Sequence, residues 1–122
     1  MAYRDISVWL EDVLIAIERI KLHIHNINSY TEYIGSQLII DATERNLEII
    51  AEAIKNAIKL NPDLSISNTP KIIGLRNLIN HEYYKIEQDR IWIIIKKDLP
   101  TLEKEVKKIL EDFERRLELN EL

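Results

Sequence analysis

The sequence predicts an all-α protein, folded as one domain over residues 1–122 into an up-and-down bundle of four to five helices. Apolar residues recur at steps of three and four over long stretches, which is the period of an amphipathic helix. The chain has only two Gly and three Pro, so few positions can interrupt a long element. Its 23 Ile would favour strands by composition, but their helical spacing outweighs that propensity. Long helices with short connections favour a bundle.

The first two helices are predicted over residues 5–30 and 37–60. In the first, one face carries an apolar stripe made of Leu10, Val13, Leu14, Ile17, Ile20, Ile24 and Ile27. Gly35 and Ser36 mark the entry to the second helix, and Pro62 ends it because the residue before a proline avoids the helical region.

The third helix is predicted to begin at Asn68 or Thr69 as N-cap and to end near His81. Pro70 then occupies the first helical position, where the missing N–H costs nothing. A polar loop, residues 63–68, connects it to the second helix.

A fourth helix is predicted over residues 88–97, followed by a break or kink with Asp98 as a new N-cap and a last helix ending near Leu117. The cluster Ile91–Ile95 is apolar on nearly all sides, with only Trp92 interrupting the isoleucines. Such a helix needs burial all round, so we expect it to pack against a second subunit or another partner.

Composition narrows the functional classes. The chain has no Cys, which excludes disulfides and thiolate chemistry. It contains no apolar run of about 18 residues and its first residues do not resemble a signal peptide, so we expect a cytoplasmic protein with no membrane partner. The net charge of −4 gives no global attraction for nucleic acid. RNA binding would need a local site or a surface built from two subunits, and we expect no DNA partner, metal or cofactor.

The third helix carries the residues best suited to chemistry. At 100° per residue, one arc of about 120° forms a core stripe of Ile72, Leu75, Leu78 and Ile79. A separate arc of about 140° holds four hydrogen-bond donors, Arg76, Asn77, Asn80 and His81. Because Arg76 and His81 lie at its two edges, they diverge on a straight helix. They converge only if the helix unwinds near Asn80 or a two-fold axis brings this face against its copy.

These residue types suit metal-independent RNA cleavage. Attack of a ribose 2′-OH on its phosphate needs a base, an acid and cationic stabilisation of the intermediate. The imidazole of His81 can act as base or acid near neutral pH, and Arg76 offers a fork of donors for phosphate oxygens. Asn77 and Asn80 can orient the backbone. A purely structural interpretation also fits, with Arg76 paired to a carboxylate and His81 at a helix C-terminus.

Arg76, four residues, His81, one residue and Tyr83 resemble the R-x4-H-x-Y signature of HepT-type HEPN ribonucleases. The surrounding sequence is similar as well, in the blocks 44–53 and 72–77 before the motif and in Trp92 and Asp98-Leu99-Pro100 after it. The resemblance covers most of the chain, from about residue 5 to residue 113. One departure is the segment before the third helix, where many relatives carry a Trp and this chain does not.

The resemblance implies a HEPN helical bundle, a homodimer with a composite cleft, and a metal-independent endoribonuclease toxin. Arg76 and His81 would be catalytic, with Asn77 assisting and Asn80 supporting. The partner implied is an MNT-type nucleotidyltransferase antitoxin of a toxin–antitoxin system, which neutralises the toxin by transferring AMP from ATP to Tyr83. Tyr84 is a second phenol beside that target.

Two other functions remain open at this point. The chain could be a catalytically silent HEPN protein that acts as a nucleotide-binding or regulatory partner of a nucleotidyltransferase, and the acidic net charge suits a protein partner better than RNA. It could also be a structural helical adaptor in which Arg76 and His81 have no chemical role.

Overall fold

The computed structural model describes residues 2–80 and 88–121, and within these ranges it contains helices and no strands. The helices are α1 (Ala2–His23), α2 (Tyr30–Ile34), α3 (Gln37–Leu60), α4 (Thr69–Ile73), α5 (Leu75–Asn80), α6 (Gln88–Ile93) and α7 (Leu99–Glu118), with a π-helical segment, Ile94–Asp98, between α6 and α7. The predicted all-α helical bundle is confirmed.

The core lies where the apolar stripes of the three long helices meet. α1 packs along α3 and also contacts α7, while α4 and α5 pack against α3. Residues from all three long helices are fully buried at this junction, among them Leu10, Val13, Ile17, Ile20, Leu47, Ile50, Ile54, Leu102 and Val106. Spacings of three and four residues therefore do place one continuous face of each helix in the core.

The first helix is shorter than the sequence predicts. It ends at His23, and a separate short helix, α2, follows. Ser29 caps α2 by accepting a hydrogen bond from the backbone N–H of Glu32 at 3.2 Å. Ile24 and Ile27 still pack against the core although they lie in the turn between the helices. Their burial continues the apolar period beyond the helix, and this explains why residues 24–29 were wrongly predicted as helical.

The second predicted helix is confirmed as α3, with Ser36 as its N-cap. The third is divided by a turn at Gly74 into α4 and α5. A Cβ on Gly74 would lie 3.1 Å from the carbonyl oxygen of Pro70, a tight contact at this turn. Pro70 does lie in the first turn, but Asn68 makes no side-chain cap and has a left-handed backbone with φ 58°.

Of the break or kink predicted at Asp98, the break and the N-cap are wrong, whereas an irregular helical turn is present. Asp98 is helical and makes no capping bond; its carboxylate instead pairs with Nζ of Lys71 at 2.8 Å. The chain passes from α6 to α7 through one wide π-helical turn, and Pro100 falls in the first turn of α7, where it can be accommodated. The sequence from Asp98 to Pro100 thus coincides with a change from π-helical to α-helical pitch and not with the start of a separate helix.

The isoleucine cluster of this segment is largely buried within the subunit. Ile91, Ile94 and Ile95 are at most 4% exposed, whereas Ile93 is 51% exposed. The need for burial predicted from sequence is therefore met mainly by α6 and the π-helical segment folding onto the bundle, and only Ile93 is left to contact another molecule. None of the helices described is both long and apolar enough to cross a bilayer.

Candidate functional site

The exposed side of α5 carries the first two residues of the candidate site. Arg76 and Asn77 are exposed, while Leu75 and Ile79 on the opposite side are buried against α3. This is the separation of faces that steps of 100° predict. Asn80 is the last residue of α5. His81, Tyr83 and Tyr84 lie outside the described residues, so the predicted convergence of Arg76 and His81 stays a prediction.

Arg76 pairs with a carboxylate of the neighbouring helix. Its Nη1 donates to Oε2 of Glu52 on α3 at 3.3 Å. The two side chains are 59% and 46% exposed, so water screens the pair and it contributes no more than about 1 kcal/mol. A phosphate, which accepts a bidentate pair from the guanidinium fork, can therefore compete with Glu52 for Arg76.

Two depressions meet at Arg76. The larger, called here the Trp9 groove, has a volume of about 380 Å³ between α1, α3 and α5. Its lining is Trp9, Asp12, Arg45, Glu48, Ile49, Glu52, Ala53 and Arg76. The half-buried indole and the two guanidinium groups are the residue types that stack on nucleobases and bind phosphates.

The smaller depression, called here the Asn77 groove, has a volume of about 250 Å³ between α3 and the α4–α5 pair. It is lined by Ala51, Glu52, Lys55, Ile73, Arg76 and Asn77. Lys55 and Arg76 supply two positive charges against the one carboxylate of Glu52. The guanidinium of Arg76 therefore serves both grooves, and Asn77 adds a neutral donor on one side only.

An acidic stripe runs along α3 beneath the site. Glu44, Glu48 and Glu52 are four residues apart and share one helix face. Asp12 adds a further carboxylate in the Trp9 groove. In the Trp9 groove the three carboxylates outnumber the two guanidinium groups, so this side of Arg76 gives an RNA strand no general attraction.

At the other end of this stripe, Glu44 binds Gln88, the first described residue after the motif. Nε2 of Gln88 donates to Oε2 of Glu44 at 2.6 Å, and Oη of Tyr33 donates to Oε1 of Gln88 at 3.0 Å. Burial raises the pKa of Glu44, and the hydrogen bond from Gln88 opposes that rise. Burial is also the main reason that the pKa of Tyr33 lies above its usual range. Arg76, the first residue of the motif, and Gln88, after the motif, thus bind carboxylates on one face of α3.

Comparison with known proteins identifies the family. The family model described as Ribonuclease HepT-like matches residues 13–109, which include the whole segment from Arg76 to Tyr83. The chain belongs to the HepT-like ribonuclease family. The resemblance to HepT-type HEPN ribonucleases that the sequence suggested is thereby confirmed.

Three relatives of this HepT-like chain show how far the similarity extends. "Putative RNase MJ1380" of Methanocaldococcus jannaschii is 34% identical over 87% of this chain and 97% of its own length. "Putative RNase MJ0125" of the same organism is 30% identical over 95% of this chain and its full length. "Putative RNase TTE0752" of Caldanaerobacter subterraneus is 38% identical over 68% of this chain and 75% of its own length. No solved structure matches the chain.

Three residues that line the Trp9 groove beside Arg76 were not expected from the sequence of this HepT-like protein, namely Trp9, Arg45 and Glu52. Each comes from α1 or α3, far in sequence from Arg76, and each looks like an ordinary helix residue in its local pattern. Only the packing of α1 and α5 on α3 brings them beside Arg76. The block 44–53 carried a family resemblance, but nothing within that block indicated that Glu52 would bind the guanidinium.

Proposed function

We propose that this HepT-like protein is a metal-independent endoribonuclease that acts as the toxin of a HEPN/MNT toxin–antitoxin system in the cytoplasm. The observation that carries the proposal is the family match over residues 13–109, which contains Arg76, His81 and Tyr83 at the spacing of the signature. The names of the relatives add support, since each includes the word RNase.

The proposed reaction is attack of a ribose 2′-OH on the adjacent phosphorus. A base takes the 2′-hydroxyl proton as the new P–O bond forms, the bond from phosphorus to the 5′ oxygen breaks, and an acid protonates that oxygen. The products are a 2′,3′-cyclic phosphate and a 5′-hydroxyl. His81 supplies proton transfer near neutral pH. Arg76 stabilises the extra negative charge on the phosphate oxygens, and Asn77 and Asn80 orient the strand.

The exposed position of Arg76 suits this role. Its guanidinium lies at the surface, at the junction of two grooves, and among residues 2–80 and 88–121 its one ion pair is the exposed pair with Glu52. A bound phosphate would replace that carboxylate, so the enzyme would exchange one charged partner of Arg76 for another. The cost of releasing Glu52 is small because water already screens the pair.

We propose further that the active form is a homodimer with a composite cleft. On a helix, Arg76 and His81 are about 140° apart, so a second copy of the same face is the simplest way to bring both groups to one phosphate. Exposed apolar residues are available for contact between copies on α1 and α6, namely Val8, Ile15, Leu22 and Ile93. A protein that stays monomeric at micromolar concentration would contradict this part of the proposal.

Control by an MNT-type nucleotidyltransferase completes the proposal. The phenol oxygen of Tyr83 attacks the α-phosphorus of ATP, a new P–O bond forms, and pyrophosphate leaves. Each AMP adds a phosphate charge near the motif, which repels RNA and can occupy Arg76. Mass spectrometry of the chain co-expressed with its nucleotidyltransferase should show added AMP that Tyr83→Phe abolishes and Tyr84→Phe leaves. If Tyr84→Phe alone abolished the added AMP, Tyr84 and not Tyr83 would be the modified residue.

Expression in bacteria without an antitoxin tests the toxin proposal. The wild-type chain should arrest growth, and Arg76→Ala and His81→Ala should each relieve the arrest. Arg19→Ala and His25→Ala are matched controls, since both residues are exposed and lie outside α5, and these variants should remain toxic. Equal toxicity of wild type, Arg76→Ala and His81→Ala would refute the proposal.

The second candidate function is a catalytically silent partner of a nucleotidyltransferase. The observation that favours it is the acidic stripe of α3 around Arg76, which opposes RNA binding. In this alternative Arg76 contacts a nucleotide phosphate and Tyr83 is a modification site. Tight binding of the purified chain to the nucleotidyltransferase, with intact RNA after prolonged incubation, would select it over the nuclease.

A further inference from the structure

A second charged surface lies on the π-helical segment and the first half of α7. Residues 94–110 contain five lysines and three carboxylates, although the whole chain has a net charge of −4. All five lysines are exposed, and we call this surface the basic face: Lys96, Lys97, Lys104, Lys107 and Lys108. The five side chains lie on the outer side of a helical rod whose inner side, including Leu102, Val106 and Ile109, is buried.

Each of the three carboxylates of this segment is bound by a group from another helix or loop. Asp98 is only 10% exposed and pairs with Lys71 at 2.8 Å. Glu103 is 13% exposed and binds Lys21 at 2.6 Å. Their charges are therefore compensated at the seams of the bundle, and Lys21 and Lys71, both half exposed, are added to the edges of the positive surface.

The third carboxylate, Glu105, is held at the opposite seam. Its Oε2 accepts from Oγ of Ser67 at 2.6 Å, and both of its oxygens are 3.1 Å from the backbone N–H of Ser67. Because the N–H and the hydroxyl of Ser67 make three hydrogen-bond contacts with this carboxylate, Glu105 is held against the loop before α4 and is not free to fold over the lysines. The negative charge of the segment is thus structural, and the positive charge is at the surface.

Most of the lysines on the basic face have no protein partner to compensate them. Lys97, Lys104 and Lys108 make no ion pair or hydrogen bond with any residue described in the structure. Lys96 lies over the ring of Trp92 with Nζ 5.4 Å from its centroid. Lys107 shares Glu103 with Lys21, at 3.5 Å. Three flexible ammonium groups along one ridge are therefore available to a ligand.

We propose that the basic face binds the phosphate backbone of RNA at a distance from the predicted cleavage site, and so supplies attraction that the acidic Trp9 groove beside Arg76 does not. The inference rests on the proposed ribonuclease function and names where its substrate is held. Lysines bind phosphates as point charges without reading sequence, so the face contributes affinity and orientation and not base preference.

The dimensions and composition of the basic face fit RNA better than a protein. From Lys96 to Lys108 the helix rises about 18 Å, which matches roughly five phosphates of a stacked strand at about 3.4 Å each. Protein interfaces place apolar and aromatic residues at their centre and contain few lysines. Among the described residues, no large exposed apolar side chain lies between Ile93 and Leu117. An acidic protein partner is the competing occupant that the test must separate.

The test measures RNA binding in a His81→Ala background, which prevents the proposed cleavage. Fluorescence anisotropy follows a labelled single-stranded RNA of about 20 nucleotides across a salt series. The triple variant Lys97→Glu, Lys104→Glu, Lys108→Glu should bind at least about tenfold more weakly at about 0.1 M salt. With the three lysines changed to Gln, the slope of log affinity against log salt should become shallower by about two, since each phosphate contact on a single strand contributes about 0.7.

A matched control carries the same charge change elsewhere. Arg4, Arg19 and Lys59 are exposed and outside both the basic face and the two grooves, and their triple change to Glu should leave most of the affinity intact. An equal loss in both triple variants would reduce the effect to net charge and overturn the inference. Unchanged RNA affinity of the face variant would also overturn the inference. If the face variant instead lost its binding to the nucleotidyltransferase, the basic face would be assigned to a protein partner.

Cleavage assays keep this inference separable from the proposed function. A dinucleotide is too short to reach the basic face. With His81 intact, the face variant should therefore cleave a dinucleotide as fast as the wild type but cleave long RNA more slowly. A wild type that binds RNA through the face yet cleaves neither substrate would refute the nuclease and leave the binding site standing. A face variant that cleaves long RNA at the wild-type rate would refute the binding site and leave the nuclease standing.

Discussion

Replacing Tyr33 with Phe tests whether the buried network next to the motif stabilises the bundle. Tyr33 is fully buried, and its hydroxyl donates to Oε1 of Gln88, which is itself only 5% exposed. The variant keeps the ring and its stack on Trp92, whose centroid is 5.2 Å away, but removes the donor. The amide oxygen of Gln88 then stays buried without that hydrogen bond, which costs about 1–3 kcal/mol.

The expected shift in melting temperature follows from the length of the chain. Unfolding entropy is about 2.1 cal/mol/K per residue, so for 122 residues a loss of about 1–3 kcal/mol lowers Tm by about 4–12 °C. Thermal unfolding followed by circular dichroism measures this directly. Tyr30→Phe is the matched control, because Tyr30 is half-buried and its hydroxyl makes no hydrogen bond with a described residue. Equal Tm values for the two variants would refute the reasoning.

Three further predictions concern charged groups. Glu52→Ala should change the free energy of unfolding by less than about 1 kcal/mol, because its ion pair with Arg76 is exposed. The variant should nevertheless bind RNA more tightly in anisotropy measurements, since Glu52 no longer competes with phosphate for Arg76. Weaker RNA binding would contradict this. Burial holds the pKa of Glu44 above its ordinary value, so the stability of the wild type should fall as pH rises from about 4.5 through the raised pKa. Glu44→Gln should lack this fall when Tm is measured across a pH series. Parallel Tm–pH curves for the wild type and the variant would contradict the prediction. Burial raises the pKa of Glu103, but the hydrogen bonds and charges of Lys21 and Lys107 together bring that pKa below its ordinary value. Lys21→Ala should therefore raise the pKa of Glu103 in an NMR titration and reduce the stability lost below about pH 4.5. An unchanged pKa would contradict the argument.

The fold was predictable where one physical rule dominated. Apolar spacing located α1, α3 and α7, and the bounds of α3 were predictable because Ser36 caps its start and Pro62 prevents its continuation. The end of α1 was not predictable, because Ile24 and Ile27 continue the apolar period while the backbone turns toward the Ser29 cap of α2. Burial preserves such a period, whether or not the intervening residues are helical.

The π-helical turn before α7 illustrates a second limit. Asp98 followed by Pro100 has the sequence pattern of a helix start, and local rules predict a break or kink with Asp98 as N-cap. In the folded chain Lys71 of α4 binds the Asp98 carboxylate, so the side chain that would cap a new helix is engaged by a different element. Whether an aspartate caps or pairs is decided by tertiary packing, and no local pattern contains that information.

The candidate site divides in the same way. Helical geometry was enough to place Arg76 and Asn77 on the exposed side of α5 and Ile72, Leu75 and Ile79 in the core. It could not predict the other groups around Arg76, because Trp9 and Glu52 reach the site only through the packing of α1 and α5 on α3. The roles proposed for Arg76 and His81 come from the family signature.

The chemical ends left on cleaved RNA test the central claim most directly. Purified wild-type protein, incubated with RNA in the presence of a chelator, should yield fragments with 2′,3′-cyclic phosphate and 5′-hydroxyl ends, because the proposed attack comes from the ribose and needs no metal ion. Fragments ending in 3′-hydroxyl and 5′-phosphate would mean that water or another nucleophile attacks the phosphorus. Either that result, or cleavage that persists unchanged in Arg76→Ala and His81→Ala, would contradict the account.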